Sequence, residues 1–365
     1  MIKRKLSSVL AVLVVMVFAL TACSAKEETK TNDTSSSTAA PTVAAGTDVV
    51  TDTPQNSDID LSKVTLRFAA TGWNSQGELL KAAGLDDTPY KVEYTVFQGG
   101  NLCLEAMAAN QVDLTGSSEI PPIFASLAEN GGNFKIVAIS NSNTQLQELI
   151  VPANSDIKTV ADLKGKKVGY IKSTTAQYFL YVMLKNAGLA WTDIDSVEIT
   201  TADGVTALLG GDLDAFASYG NSINAAKNGG ATTLESAEDI LSGNFPFEAS
   251  NDALADEGKR AAIADYLARI QLASEWQKSN LEAWAKVSAD PTGQTYEDAL
   301  AMLQKGFAQR ATNVITVSDD VKQSEQNVAD AFLEVGLLEK KVDTSTFYDE
   351  SLSQDILDAI EALRK

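Results

Sequence analysis

The sequence predicts an α/β protein of two lobes with a helical carboxyl-terminal part. Strand and helix patterns alternate from about residue 61 to residue 250, and helical patterns follow from about residue 252 to the end. These stretches together span about 300 residues, which is enough for two ordinary domains. Alternating strands and helices are typical of parallel sheets, so we expect two parallel sheets joined by two crossovers. Ligands of such sheets bind outside the carboxyl ends of the strands.

The first 22 residues have the pattern of a secretory signal. Positive residues at 3–5 precede an apolar run from about 9 to 20. The run is shorter than the roughly 20 residues of a membrane-spanning helix. Small residues just before Cys23 resemble the lipobox of bacterial lipoproteins, which implies lipidation of Cys23 and anchoring at the extracytoplasmic face of the membrane. Ordinary cleavage after Ala22, with a free cysteine left over, is the alternative.

Residues 23–60 are predicted to be a disordered tether. Ser, Thr, Ala, Asp, Asn and Pro dominate this stretch, and it shows no apolar periodicity. Such a composition does not bury enough apolar surface to offset the entropy of ordering.

The charge and the missing histidines exclude several classes of function. The formal net charge is −20, and loss of the three basic residues of the signal makes it about −23. A surface of this sign repels nucleic acid and anionic lipid, so no nucleic-acid partner is expected. With no histidine, His-bearing zinc sites and histidine-dependent triads are excluded. We therefore expect no metal, no cofactor and no catalytic residue.

The first lobe is predicted over residues 61–150, with 248–365 returning to it. We place the boundary near Pro152, because a proline ends the preceding apolar strand. The predicted strands are 64–70, 90–97, 112–115, 134–139 and 147–151, and the predicted helices are 75–83 and 102–110.

The second lobe is predicted over residues 151–247. An extended aromatic stretch at 244–249 is expected to cross back to the first lobe. The predicted strands are 167–171, 196–200, 215–218 and 232–234, and the predicted helices are 160–166, 177–187 and 204–209.

Several segments carry a resemblance to a known family, in order and at sensible spacing. They are Phe97-Gln98-Gly99-Gly100, 104–107, Val112-Asp113, 119–125, 157–168 and 172–178. This pattern resembles the substrate-binding proteins of the aliphatic sulfonate, taurine and nitrate importer superfamily, over about residues 61–250. The resemblance implies a hinged, two-lobed periplasmic-binding-protein fold of type II. It also implies a monomer with a small-molecule ligand and an ABC transporter permease as its partner.

In the first lobe, two turns that follow strands supply candidate ligand-binding residues. Trp73 and Asn74 lie in the loop after the first strand, where an aromatic side chain can form a wall of the cleft. Ser117, Ser118 and Glu119 precede a helix that begins near a proline. Core packing is the alternative role for the tryptophan, and electrostatic capping of the helix is the alternative for Glu119.

In the second lobe, the segment ahead of a predicted helix offers hydroxyls and backbone amides to an anion. Its candidates are Ser173, Thr174 and Thr175, with capping of the helix as the alternative role. Further candidate ligand contacts are Tyr178, Tyr219 and Asn221. Relatives have a Trp-Asp-Pro-like loop near residue 219, and this sequence lacks it, so the resemblance leaves the ligand open.

A sulfonate-like solute, aliphatic or taurine-like, is the expected ligand. Of the candidate loops, only the one at Lys172 includes a basic residue, but helix termini bind anions without a full counter-charge. A neutral heterocycle, such as a thiamine-precursor pyrimidine or riboflavin, is the first alternative. A lipoprotein that signals to a membrane receptor is the second. An enzyme like the related pyrimidine synthases is disfavoured, because the histidine and the cysteine-rich motif of that mechanism are missing.

Overall fold

The computed structural model describes residues 59–365. Two mixed sheets, of six and five strands, organise this part of the chain. The predicted signal, Cys23 and nearly all of the predicted tether lie outside the described residues. No helix among residues 59–365 combines the length and the apolar character needed to cross a membrane.

The strands and helices follow the predicted alternation closely. The strands are β1 (Thr65–Thr71), β2 (Lys91–Phe97), β3 (Leu114–Gly116), β4 (Phe134–Asn141), β5 (Gln147–Val151), β6 (Lys167–Tyr170), β7 (Asp195–Glu198), β8 (Ala215–Tyr219), β9 (Thr232–Ser236), β10 (Asn244–Ser250) and β11 (Asn313–Ile315). The helices are α1 (Ser75–Ala83), α2 (Gly100–Ala108), α3 (Ile120–Ala125), α4 (Thr175–Asn186), α5 (Thr201–Gly210), α6 (Asn221–Asn228), α7 (Asn251–Ala255), α8 (Glu257–Ser279), α9 (Leu281–Ser288), α10 (Tyr296–Gln309), α11 (Asp319–Glu334) and α12 (Ser353–Leu363).

Both sheets are mixed, so the prediction of two parallel sheets is wrong. The first sheet has the order β11-β4-β10-β3-β1-β2, and the second has the order β7-β6-β8-β5-β9. Pairing is parallel among β1, β2 and β3 and among β6, β7 and β8. It is antiparallel wherever β5, β10 or β11 takes part. Strands β5 and β10 are the two strands by which the chain passes from one sheet to the other, and both run antiparallel to their neighbours.

The lobe boundaries predicted from the sequence, at residues 150 and 247, fall inside strands β5 and β10. Strand β5 pairs with β8 and β9 in the second sheet, so the chain changes sheet at 142–146, before Pro152. Strand β10 pairs with β3 and β4 in the first sheet, so the chain returns at 237–243. The proline ends a strand of the second sheet and does not mark the exit from the first.

Several further elements differ from the sequence prediction. Helix α6 and strand β11 are additional, and the predicted helix at 160–166 is a short 3₁₀ turn at Val160–Leu163. Helices α2 and α4 begin two residues earlier than predicted, and α5 begins three residues earlier. Helix α6 is short and rich in asparagine, a residue of low helix propensity, so its pattern does not stand out from a loop.

Each sheet packs its helices around a core of its own. In the first sheet, Phe68 packs on Tyr266 of α8 with ring centroids 5.1 Å apart. In the second, the core includes Phe179 and Phe216, both fully buried. Helix α5 approaches this core so closely that a Cβ at Gly204 would lie 2.2 Å from the Phe216 ring, and glycine is therefore needed at this position.

A buried carboxylate ties the first sheet to α8. Asp113 is fully buried, and it accepts hydrogen bonds from Arg67 Nη2 at 2.6 Å and from Lys259 Nζ at 2.9 Å. Burial alone raises the pKa of Asp113, but the bonds from Arg67 and Lys259 outweigh burial and lower it. The carboxylate therefore stays charged and joins β1, the start of β3 and α8.

We expect Asp113→Asn to lower the free energy of unfolding by about 3 kcal/mol, because it leaves two partly buried cations without their counter-charge. The pKa of Asp113 is lowered in the folded state, so its contribution is present at neutral pH and is lost as the pH falls through the acid range. Urea unfolding at neutral and acid pH measures both effects. If Asp113→Asn lowers the free energy of unfolding by as much at acid pH as at neutral pH, the result contradicts this role.

Candidate functional site

A cavity of about 180 Å³ lies where the carboxyl ends of strands from the two sheets meet. We call it the inner cavity. The first sheet contributes the ends of β1 and β3, and the second contributes the end of β8 and the start of α4. Its lining residues are Thr71, Gly100, Gly116, Ser117, Ser118, Pro121, Gln147, Thr174, Thr175, Tyr219 and Phe245.

A larger cavity of about 470 Å³, the outer cavity, adjoins it and shares Thr71 and Tyr219 with it. The residues that line the outer cavity are Thr71, Gly72, Trp73, Gln98, Thr201, Ala202, Val205, Tyr219, Gly220, Asn221, Ser222 and Ala225. In the part of the chain that the structure describes, the lining of neither cavity includes a lysine, arginine, aspartate or glutamate. Any charged ligand here is held by neutral donors and acceptors.

The eleven predicted ligand-binding residues divide into three groups. The inner cavity is lined by Ser117, Ser118, Thr174, Thr175 and Tyr219. The outer cavity is lined by Trp73, Tyr219 and Asn221. Neither cavity is lined by Asn74, Glu119, Ser173 or Tyr178.

Tyr219 carries a free donor at the junction of the two cavities. Its hydroxyl is buried and makes no hydrogen bond of good geometry among the described residues, although the Thr174 side chain lies near enough to oppose the upward shift of its pKa. Burial raises the pKa of Tyr219 far above its usual value, so the hydroxyl keeps its proton. A buried polar group without a partner is costly. A ligand oxygen that accepts this proton removes the cost.

The start of α4 presents the positive end of a helix to the inner cavity. Thr174 is the N-cap, and its Oγ1 accepts from the backbone N–H of Ala176 at 3.3 Å while donating to the carbonyl of Ile171 at 2.7 Å. The Thr175 hydroxyl donates to Gln147 Oε1 at 2.7 Å. Both threonines therefore cap or brace the helix, and they also line the cavity. Backbone amides at such a terminus attract anions.

Three of the residues outside both cavities have local structural roles. Asn74 caps α1 by accepting from the N–H of Gly77 at 3.3 Å. Ser173 has a left-handed backbone, with φ of 57°, and its N–H donates to the Gln177 side chain at 2.8 Å. Tyr178 packs edge-on against Phe332, with ring centroids 5.6 Å apart.

Glu119 is buried against the segment that leads into β10. Ser242 Oγ donates to Glu119 Oε2 at 2.5 Å, and Asn244 Nδ2 donates to Oε1 at 3.1 Å. Glu119 is the N-cap residue of α3, but its side chain makes no capping hydrogen bond. Burial raises the pKa of Glu119, even though these hydrogen bonds oppose the shift.

Trp73 and Asn221 both line the outer cavity and both contact the helical carboxyl-terminal part. The Trp73 ring stacks on Trp284 of α9, with centroids 5.8 Å apart. Asn221 Nδ2 donates to the carbonyl of Pro291 at 3.2 Å. Packing and cavity lining are therefore combined in the same side chains.

A row of three asparagines joins the second sheet's helix α6 to the turn at residues 290–293. Asn221, Asn224 and Asn228 donate through Nδ2 to the carbonyls of Pro291, Thr292 and Gly293 at 3.2, 3.2 and 2.7 Å. We call these contacts the asparagine latch. Spacings of three and four residues place the side chains on one face of a helix, so the signal was present in the sequence and was missed because α6 was not predicted.

Other lining residues were also missed. Thr71 and Gln147 stand at strand ends, and Phe245 lies in β10. Sequence patterns do not indicate which strands β5 and β10 pair with. Their pairing, with β8 and β9 for β5 and with β3 and β4 for β10, brings Gln147 and Phe245 to the cavity.

Two fully buried carboxyls lie behind the site. Ser117 Oγ donates to Glu248 Oε1, and the Tyr348 hydroxyl donates to Glu325 Oε2. Burial raises the pKa of Glu248 and of Glu325 well above the ordinary value. Among the described residues, no group of three acidic or cysteine side chains is placed to hold a metal ion.

We expect the thermal midpoint of unfolding to fall as the pH rises above the ordinary range of a carboxyl group, and to fall less in Glu325→Gln. A carboxyl whose folded pKa is raised stabilises the fold at low pH and loses that contribution as the pH rises through its folded pKa. Thermal melts at several pH values measure the effect. Glu129→Gln, which changes an exposed carboxyl, is the control, and equal slopes in the two variants contradict the assignment.

Comparison with known proteins identifies the family. Residues 80–246 match the family model described as NMT1/THI5 like. A relative in Escherichia coli (strain K12), named for binding aliphatic sulfonates, is 32% identical over 255 residues, which cover 69% of this chain and 77% of the relative. The chain belongs to the NMT1/THI5-like family.

Solved structures of family relatives share the fold. The periplasmic aliphatic sulphonate binding protein SsuA from Escherichia coli superposes with a TM-score of 0.66 at 29% identity, covering 78% of this chain and 92% of that one. The alkanesulfonate-binding protein SsuA from Xanthomonas axonopodis pv. citri, bound to MOPS, gives a TM-score of 0.67 at 26% identity, covering 78% and 98%. The predicted periplasmic-binding-protein fold is confirmed. These homologues are named as binding proteins, and the homology supports the assignment of the chain as the solute-binding protein of an ABC importer.

Proposed function

We propose that the chain is a lipid-anchored extracytoplasmic solute-binding protein that captures a small sulfonate for an ABC importer. It acts as a monomer, attached to the membrane through Cys23 and docking on a permease. The inner cavity carries the proposal, because both sheets contribute neutral donors to one space at the start of α4. The free hydroxyl of Tyr219 marks the position of a ligand oxygen. The site performs no chemistry on its ligand in this proposal.

A sulfonate suits this cavity for a physical reason. Its three oxygens accept several hydrogen bonds, and its charge is spread over them, so the Tyr219 hydroxyl and the positive end of the α4 dipole replace part of its water shell. An aliphatic tail then extends past Tyr219 into the outer cavity, where Trp73, Ala202 and Val205 offer apolar surface.

A planar neutral heterocycle is the second candidate ligand. Trp73 and Tyr219 both line the outer cavity, which is large enough for a ring system. Aromatic side chains bind flat rings through their faces and edges. Such a ligand leaves the importer role in place and moves the binding energy to the outer cavity.

A thermal-shift screen of the purified full-length chain separates these candidates. A ligand at about 100 times its dissociation constant stabilises the folded state by about 2.7 kcal/mol. Ethanesulfonate, pentanesulfonate, taurine, nitrate, a pyrimidine and riboflavin form the panel. Stabilisation by sulfonates supports the proposal. Stabilisation by a heterocycle alone favours the second candidate ligand over a sulfonate. A flat response to the whole panel contradicts both.

We expect Tyr219→Phe to weaken pentanesulfonate binding by about tenfold or more. The substitution removes one hydrogen bond to a charged group, which contributes about 1.5–3 kcal/mol. Isothermal titration calorimetry measures the change. Tyr178→Phe is the matched control, because Tyr178 lines neither cavity, and equal effects of the two substitutions contradict the assignment of Tyr219.

Hinge closure is the proposed mechanism of capture. A ligand that contacts both sheets favours the closed form in proportion to its differential affinity for the two forms. The asparagine latch spans the same gap as the ligand, because α6 belongs to the second sheet's helices and the 290–293 turn follows α9, which packs on the first sheet's core.

We expect Asn224→Ala to raise the dissociation constant for pentanesulfonate several-fold without changing the cavity lining. Loss of one neutral hydrogen bond from the closed form costs about 0.5–1.5 kcal/mol, and the closed population falls accordingly. Calorimetry gives the affinity, and small-angle scattering of the free chain gives the shift toward the open form. Asn186→Ala, at an exposed helical position, is the control. Unchanged affinity and scattering in Asn224→Ala exclude the latch from closure.

A further inference from the structure

Glu248 lies directly beneath the inner cavity without reaching it. The residue is in β10, its side chain is fully buried, and its Oε1 is hydrogen-bonded to Ser117 Oγ. Its Oε2 is also buried and has no partner among the described residues. Ser117 itself lines the cavity. One hydroxyl therefore connects a buried acid with the space assigned to the ligand.

The surroundings of Glu248 offer no positive charge to a carboxylate. Its interacting titratable neighbours are Cys103 of α2 and Glu325 of α11, and Glu325 in turn interacts with Glu119. Lys135, on the neighbouring strand β4, donates to the carbonyl of Thr346 instead. No lysine or arginine of residues 59–365 forms an ion pair with Glu248. Burial beside other acids favours the neutral acid, and the pKa of Glu248 is raised accordingly.

The protonation state of Glu248 determines what Ser117 presents to the ligand. A serine hydroxyl has one proton to donate and two lone pairs. A carboxylate at Glu248 accepts only, so it holds the Ser117 proton and leaves lone pairs and a nearby negative charge facing the cavity. A neutral acid donates its own proton to Ser117 Oγ. The Ser117 proton is then free for an oxygen in the cavity or for the carbonyl of Ser118, which lies 3.0 Å away.

We propose that Glu248, held as a neutral acid, is a positioning residue that orients the Ser117 hydroxyl to donate to an anionic ligand. The inference rests on the proposed function, because it assumes an anion in the inner cavity. It assigns to Glu248 the selection of an anion over a cation or a hydrogen-bond donor. An ionised Glu248 repels an anion, so binding of the anion and protonation of Glu248 favour each other.

Three calorimetric titrations with pentanesulfonate test this inference on the full-length chain. In the wild type, the dissociation constant is expected to rise as the pH passes upward through the raised pKa of Glu248, by roughly 5-fold to 150-fold, the usual range of such coupling. Glu248→Gln donates from its amide to Ser117 as the neutral acid does, so its affinity is expected to match that of the wild type at low pH and to stay constant. Glu129→Gln, which changes an exposed carboxyl that does not line the cavity, keeps the pH dependence.

A second measurement uses the wild type alone and does not depend on the folding of a variant. Titrations in two buffers with different enthalpies of ionisation report the protons taken up on binding. Uptake of a fraction of a proton, rising with pH, is expected. No uptake across the range, or a Glu248→Gln profile parallel to that of the wild type, overturns the inference while leaving sulfonate binding in place. Failure of the wild type to bind pentanesulfonate at every pH overturns the proposed function together with the inference.

Discussion

The insertion of β10 between β3 and β4 is the constraint on which the rest of the structure depends. This one strand closes the first sheet, carries the chain back from the second, and provides the floor of the site. The N–H of Ser117 donates to the carbonyl of Pro246 at 3.0 Å, which fixes the turn that lines the inner cavity. At the other end of the strand, the N–H of Ser250 donates to the carbonyl of Asp113 at 2.9 Å. A shift of β10 by one residue would exchange its two faces and expose Glu248 on the wrong side of the sheet.

The second principle of the site is the absence of charged side chains from its lining in residues 59–365. Near the site, the described charged groups are paired, as at Asp113, or are buried acids of raised pKa behind the cavity. Binding of the proposed anion then depends on dipoles that are already in place, namely the Tyr219 hydroxyl and the start of α4. Preformed dipoles need no reorganisation when the ligand arrives. Such a site selects a ligand by its shape and by the number of its oxygen atoms more than by its charge.

Local pattern predicted most strands and helices, and the family resemblance predicted the fold and the turns near the cleft. The turn at Ser117 and the start of α4 line the inner cavity, and both stand out in the sequence because they follow apolar strands and carry capping residues. Long-range pairing was not predictable in the same way. An apolar strand such as β5 suits either sheet, and a short polar helix such as α6 resembles a loop. The contact between Glu248 and Ser117 was also hidden, because a lone glutamate in an aromatic strand gives no sign of what lies opposite.

The asparagine latch also bears on the medium around the protein. Its donors are amides and its acceptors are backbone carbonyls, so neither partner titrates and neither is screened by dissolved ions. An ion pair in the same place would become stronger at low ionic strength and weaker at high ionic strength. In the proposed closure, a latch made of uncharged groups therefore contributes the same free energy at low and at high ionic strength.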